Sequence, residues 1–143
     1  MDPQNFANHT RWHPLFHFFV LPVMLINSIW SVVMFVEAPG KNSAWWVVVS
    51  LALALLTFFT RTNSLKVQDR VIRLEERLRY QQLLSPALAQ RAGELTPSQV
   101  VALRFAGDDE LEELVTAVMA GKFATSKDIK QAIKNWRSDN FRV

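Results

Sequence analysis

Three histidines, His9, His13 and His17, recur every four residues near the start of the chain. On one helix they would share a face, and imidazoles so aligned suit a metal ion or an axial position on a porphyrin. His13 precedes Pro14, however, and a residue before proline avoids helical geometry, so the three are not expected to align. No His or Cys lies between Asn42 and Thr60, so a second ligand would have to come from another molecule. The competing reading makes His9 and His13 polar groups at a membrane surface and gives His17 a hydrogen bond to another helix. His17, inside an apolar run, is the residue a cofactor would use; no cofactor and no metal ligand set is expected.

Other chemistry is thinly represented. Cysteine is absent, which excludes disulfides, thiolate catalysis and Cys metal ligands. There is no G-x-G-x-x-G, no P-loop and no G-x-S-x-G, and all four glycines fall at predicted turns. The acidic run Asp108, Asp109, Glu110, Glu112 and Glu113 lacks the spacing of a calcium loop and suits the positive end of the following helix dipole. The chain is read as a non-enzyme.

The elements that would carry these residues are helices. From Pro14 to Val36 no residue bears a permanent charge, and as a helix this stretch would be ~34 Å long, enough to cross a bilayer. Pro14 suits a first helical position, and Pro22 predicts a kink near His17–Phe18. A second uncharged run extends from Asn42 to Thr60. The link EAPGKN between them holds a Pro39-Gly40 turn signal and is too short for a domain, so the two spans form an antiparallel hairpin. The apolar run is too long for a cleaved signal peptide. Trp30, Trp45 and Trp46 fall at the level of an interfacial aromatic belt.

Charge orients the hairpin. The link carries one base, Lys41, whereas Arg61 to Tyr80 carries six against three acids, within a net charge of +3. The positive-inside rule then gives a multi-pass protein of the cell membrane with both termini cytoplasmic. Arg61, and at most Lys66 with it, reaches the lipid headgroups; the remaining bases are read as a topology signal and a solvated helix face. Asn27, Ser28 and Ser31 are polar positions in the first span. Asn27 and Ser31 share a face that suits helix–helix contact better than a pore.

No Gly or Pro interrupts the chain between Gly40 and Pro86, so the second span continues into a charged amphipathic helix. Thr62-Asn63-Ser64 is its weak point. Val67, Val71, Leu74 and Leu78 repeat at 4-3-4 spacing, a coiled-coil seam about two heptads long, and Asp69–Arg73 and Glu75–Arg79 are acid-before-base pairs. The seam would bind a partner or a second copy, or pack on the chain's own C-terminal helices; the last is preferred.

Those helices are clearly punctuated. Ser85-Pro86 opens one that closes near Gly93, and a capping box from Thr96 to Gln99 opens the next. Leu111, Leu114, Val115, Val118 and Met119 form an amphipathic stripe closed by Gly121. Thr125 to Asp128 opens a last helix with Ile129, Ala132, Ile133 and Trp136 inward and Lys127, Lys130, Lys134 and Arg137 around the other side. Those bases could meet phosphate, a membrane-tethered nucleic-acid binder, but the acidic helix before them opposes DNA. The tail Phe141-Arg142-Val143 is read as docked on Trp136 rather than captured by a peptide-binding domain.

The runs NHTRWHPLFHF, KVQDRVIRLEERLR, LTPSQVVALRFA and IKNWRSDNFRV together resemble a bacterial family of small two-span membrane proteins known only as a domain of unknown function. The resemblance covers nearly the whole chain. It implies the same hairpin and helical tail and brings no activity, substrate or catalytic residue. The expected fold is all-α: a cytosolic segment 1–13, a transmembrane hairpin 14–60 (spans 14–36 and 43–60), a basic amphipathic helix 61–84 and a small bundle of short helices 85–143. The expected role is a non-catalytic scaffold or accessory subunit in the lipid bilayer, a homo-oligomer or bound to a protein partner, with no small-molecule substrate.

Overall fold

The computed structural model describes residues 4–10 and 12–139. Among them there are six α-helices and no strand, in keeping with the all-helical expectation. The helices are α1 (Leu21–Glu37), α2 (Lys41–Leu83), α3 (Pro86–Arg91), α4 (Pro97–Leu103), α5 (Leu111–Met119) and α6 (Ser126–Ala132). A π-helical turn, Leu15–Val20, leads into α1, and a 3-10 turn, Ala92–Glu94, follows α3. The chain divides into two compact units, Arg11–Leu65 and Lys66–Val143 with Met1–Thr10.

In the unit Arg11–Leu65, proline chemistry shapes the first helix. In the π turn the Leu21 N–H donates to the carbonyl of Phe16, five residues back. Pro22 follows the π turn directly, within one continuous helix from Leu15 to Glu37, and has no N–H to donate to the preceding turn. The distortion expected near His17–Phe18 is therefore a widened turn over Leu15–Val20. α1 stops at Glu37, and Ser43 Oγ donates to the Ala38 carbonyl at 2.8 Å, tying the link to the start of α2.

Two contacts define the hairpin. Ser31 Oγ and Ser50 Oγ lie 2.9 Å apart and are buried, and the Arg61 guanidinium stands 5.6 Å over the Phe16 ring. A later residue of one helix meets an earlier residue of the other in both cases, so α1 and α2 run antiparallel. Of the predicted helix–helix face of Asn27 and Ser31, only Ser31 makes the contact. Ser31 turns to Ser50, Ser28 bonds its own helix at Met24, and Asn27 is exposed. Both helices, Leu15–Glu37 and Lys41–Leu83, are long and apolar enough to cross a membrane. Trp30, Trp45 and Trp46 are all exposed on them. At the weak point of α2 the hydroxyls of Thr62 and Ser64 donate to the carbonyls of Phe58 and Thr60, and the helix passes through unbroken.

The second unit is built around Tyr80, Leu84, Leu95, Leu103, Phe105, Leu111, Val115 and Ile129. Its helix starts follow the expected chemistry. Thr96 and Gln99 form a reciprocal capping box with Pro97 in the first turn of α4, and Thr125 and Asp128 do the same for α6. Leu111, Leu114, Val115 and Val118 of α5 are buried, with Met119 packed against them. Gly121, at φ 73°, ends α5 and lets the Lys122 N–H reach the Ala117 carbonyl at 3.0 Å.

The last helix is shorter than expected. It stops at Ala132, and Ile133 is extended. The next two backbone N–H groups, of Lys134 and Asn135, donate to the Glu110 carboxylate at 3.1 and 2.9 Å. Trp136 then pairs with Ala106 in an antiparallel bridge and joins the core from an extended strand-like residue, while the Arg137 N–H donates to the Phe105 carbonyl. The docked-tail reading of Phe141-Arg142-Val143 lies outside the described residues.

Candidate functional site

Residues Lys66–Leu83 of α2 present two faces. Ile72, Glu76, Arg79 and Tyr80 are buried against the second unit's core. Val67, Val71, Leu74 and Leu78 lie about 180° around the helix and are 49–61% exposed. The preferred expectation, that this seam packs on the chain's own tail, is therefore corrected: the tail takes the opposite face.

Polar anchoring explains the choice of face. Arg79 reaches into the domain, where Nη2 donates to the Ala106 carbonyl and to Asp108 Oδ1, both at 2.6 Å, and Nη1 donates to Glu76 Oε2 at 3.1 Å. Arg137 Nη1 donates to the other oxygen of Glu76, also at 3.1 Å. Burial raises the Glu76 pKa, and the two guanidiniums only partly counter it. The Tyr80 hydroxyl is buried with no hydrogen-bond partner among the described residues. Burial first, then the Glu76 charge, pushes its pKa up and keeps it protonated. Arg104 Nε meets Asp139 Oδ2 at 2.9 Å in an ion pair, and its guanidinium stacks 4.3 Å over the Phe105 ring. A cleft of about 500 Å³ lies between these groups, lined by Ile72, Glu75, Glu76, Arg104, Arg137 and Asp139.

Arg79 was expected to pair with Glu75. It pairs instead with Glu76 and Asp108, and Glu75 stands exposed beside the seam. The acidic run is corrected in the same way. Asp108 binds Arg79, Asp109 accepts from the Asn135 side-chain amide, and Glu110 holds the backbone of residues 134–135. Only Glu112 and Glu113 sit in the first turn of α5 as dipole partners.

The histidines separate. His9 belongs to the second unit, where its ring lies 5.5 Å from Phe6, 5.9 Å from Phe105 and 5.8 Å from Trp136. Lys130 Nζ donates to His9 Nε2 at 3.2 Å, and His9 Nδ1 donates to the Phe6 carbonyl at 2.7 Å. His9 is thus a packing residue of the domain rather than a surface polar group. Gln4 joins the same side of the fold: its N–H donates to Ser138 Oγ, and its Oε1 accepts from the Asp139 N–H. His13 accepts the Phe16 N–H at the start of the first helix. His17 Nδ1 donates to the His13 carbonyl at 2.9 Å, a bond one turn back along the chain rather than to another helix. Trp12 and Phe16 flank its ring edge-on. Among the described residues no group of three His, Asp or Glu side chains is placed to hold a metal.

The expected basic stripe also dissolves. Lys130 is held by His9 and Arg137 by Glu76, and α6 ends before Lys134 and Arg137. Lys127 and Lys134 remain exposed.

A model of a family of unknown function, DUF6526, matches residues 1–143. The chain belongs to this family. Among curated proteins and solved structures none matches it. Membership in DUF6526 thus agrees with the unknown-function resemblance and adds no substrate or catalytic role. What this DUF6526 chain offers is a buried ionic anchor on one side of α2 and an apolar seam on the other.

Proposed function

We propose that the protein is a membrane-anchored, non-catalytic scaffold or accessory subunit. In this reading α1 and the first part of α2 cross the bilayer as a hairpin, both ends of the chain lie in the cytoplasm, and the second unit binds a protein partner or another copy.

The observation that carries this reading is the packing of residues 4–9 on residues 105–139 within one unit. Two segments that pack together must lie on the same side of a membrane. Between them in the chain are two helices of spanning length and apolarity, an even number of crossings. Lys41 and Arg61 bracket a run of α2 with no charge between them, ~30 Å along the helix, which matches a hydrocarbon core. The exposed Trp, Phe and Leu side chains of α1 and α2 would then face lipid rather than water. The positive-inside bias of the segment after Thr60 supports the cytoplasmic side for the second unit. The non-catalytic half of the reading rests on the residues: the charged groups of the domain are used against one another, in anchoring α2 and in holding the segment after Ala132.

Labelling and co-purification test this. The chain has no cysteine, so single substitutions Ala38→Cys and Glu94→Cys introduce lone thiols. An impermeant thiol reagent on intact cells is expected to label Ala38→Cys and to reach Glu94→Cys only after permeabilisation. Extraction in mild detergent with crosslinking is expected to give a species larger than the monomer. Labelling of both positions from outside, or a strictly monomeric protein with no co-purifying partner, overturns the proposal.

A further inference from the structure

We infer that two copies of this chain join in parallel along the seam Val67, Val71, Leu74 and Leu78, with Arg70 of each copy paired to Glu75 of the other. The inference rests on the membrane-anchored reading, which makes α2 leave the bilayer in the same direction in both copies.

The spacing sets the geometry. With Val71 and Leu78 at a positions, Val67 and Leu74 take d. The central pair, a β-branched residue at a and leucine at d, favours two parallel strands. Arg70 and Arg77 then occupy g, and Glu75 occupies e. In a parallel pair a g residue reaches the e residue five positions further along the other helix. From Arg70 that residue is Glu75, and symmetry makes the pair twice. An antiparallel pair would set g against g, arginine against arginine, so the charge pattern selects one orientation.

The fold leaves these groups free for the purpose. Arg79, the cis partner expected for Glu75, is drawn into the domain by Glu76, Asp108 and the Ala106 carbonyl. Arg70 and Glu75 are exposed and enter no ion pair among the described residues. The four seam residues lie on the side of the helix away from the core they would otherwise cover. About two heptads are too few to hold a dimer of free peptides. Anchoring in one membrane raises the effective concentration and makes so short a seam sufficient.

The test uses the full chain in native membranes. Leu74 is 61% exposed, so Leu74→Cys leaves the fold intact and places a lone thiol at a d position. Mild oxidation is expected to give a disulfide-linked dimer, and Glu112→Cys, exposed on α5, is expected to give none. In the Leu74→Cys background, Arg70→Glu and Glu75→Arg should each lower the dimer yield about fivefold, and the double swap should restore it. A Leu74→Cys yield no higher than that of Glu112→Cys overturns the dimer; seam crosslinking without rescue by the double swap overturns the Arg70–Glu75 pairing. The same extracts separate this inference from the scaffold reading: a different co-purifying protein with no seam dimer leaves the scaffold and removes the dimer, whereas absence of both removes both.

Discussion

The guanidinium of Arg79 donates to the backbone carbonyl of Ala106 at 2.6 Å, a bond across 27 positions of sequence that decides which side of α2 the domain covers. The same side chain grips Asp108 and Glu76, so an ionic clamp joins the buried Ile72 and Tyr80 in docking this part of the helix. Ile72 and Tyr80 follow the arginine inward, and Val67, Val71, Leu74 and Leu78 are carried outward.

Removing the clamp should loosen the second unit. Arg79→Met leaves Glu76 buried with Arg137 alone and the Ala106 carbonyl without its donor. The expected loss is about 3 kcal/mol, the low end for breaking a buried ion pair, since Arg137 still reaches Glu76. Thermal unfolding in detergent, followed through Trp136 fluorescence in a variant lacking the other tryptophans, measures it. A loss under about 1 kcal/mol would show that the apolar contacts alone choose the face.

Glu76 gives the domain a pH signature. Its pKa is raised from 4.5 by burial, so the folded state holds the proton more tightly than the unfolded state. Its contribution to stability is then fully present below 4.5 and declines as pH rises through the raised value. The difference in unfolding free energy between the native protein and Glu76→Gln should therefore fall with rising pH above 4.5. A difference that grows with pH would mean that Arg79 and Arg137 outweigh burial.

Two glycines are constrained for different reasons, and a third is not. A Cβ on Gly107 would stand 2.9 Å from the Asn135 carbonyl oxygen, beside the Ala106–Trp136 bridge. Gly107→Ala should cost about 1–3 kcal/mol as overpacking. Gly121→Ala meets open space but must hold φ 73°, and should cost about 1 kcal/mol. Gly93→Ala also meets open space at an ordinary φ and should be close to neutral. Denaturant midpoints of the three variants rank them; a neutral Gly107→Ala would contradict the close approach.

His9→Ala should free the segment before Thr10 without unfolding the domain. The ring is lost from its place among Phe6, Phe105 and Trp136, and Lys130 loses the contact with His9 Nε2. Hydrogen exchange is expected to rise at residues 6–9 and to change little in α5. Protection that falls equally in both would make the segment part of the core's cooperative unit.

Much of the fold was legible. Local chemistry announced the starts at Thr96 and Thr125, the α5 stripe and the stop at Gly121, because each is decided within a turn of helix. The face of α2 was not legible, since apolar periodicity favoured the seam while a single arginine, bonded 27 and 29 positions away, won. The end of α6 at Ala132 was hidden for the same reason: Glu110 takes the backbone N–H groups of residues 134–135. For His9 the signal is present in the sequence. An aromatic at Phe6 and a histidine three residues later form a local bond as well as a docking knob.

The meeting of residues 4–9 with residues 130–139 has a consequence for biogenesis. The bonds involved join positions 121 to 135 apart. During synthesis the first of these segments leaves the ribosome long before the second exists, and in the membrane-anchored reading both apolar helices are inserted in between. His9 and its neighbours therefore spend most of translation without the surface they finally occupy, until Trp136 emerges. A ribosome stalled before that point would hold two complete apolar helices and an open domain, a nascent chain in which the order of events can be read directly.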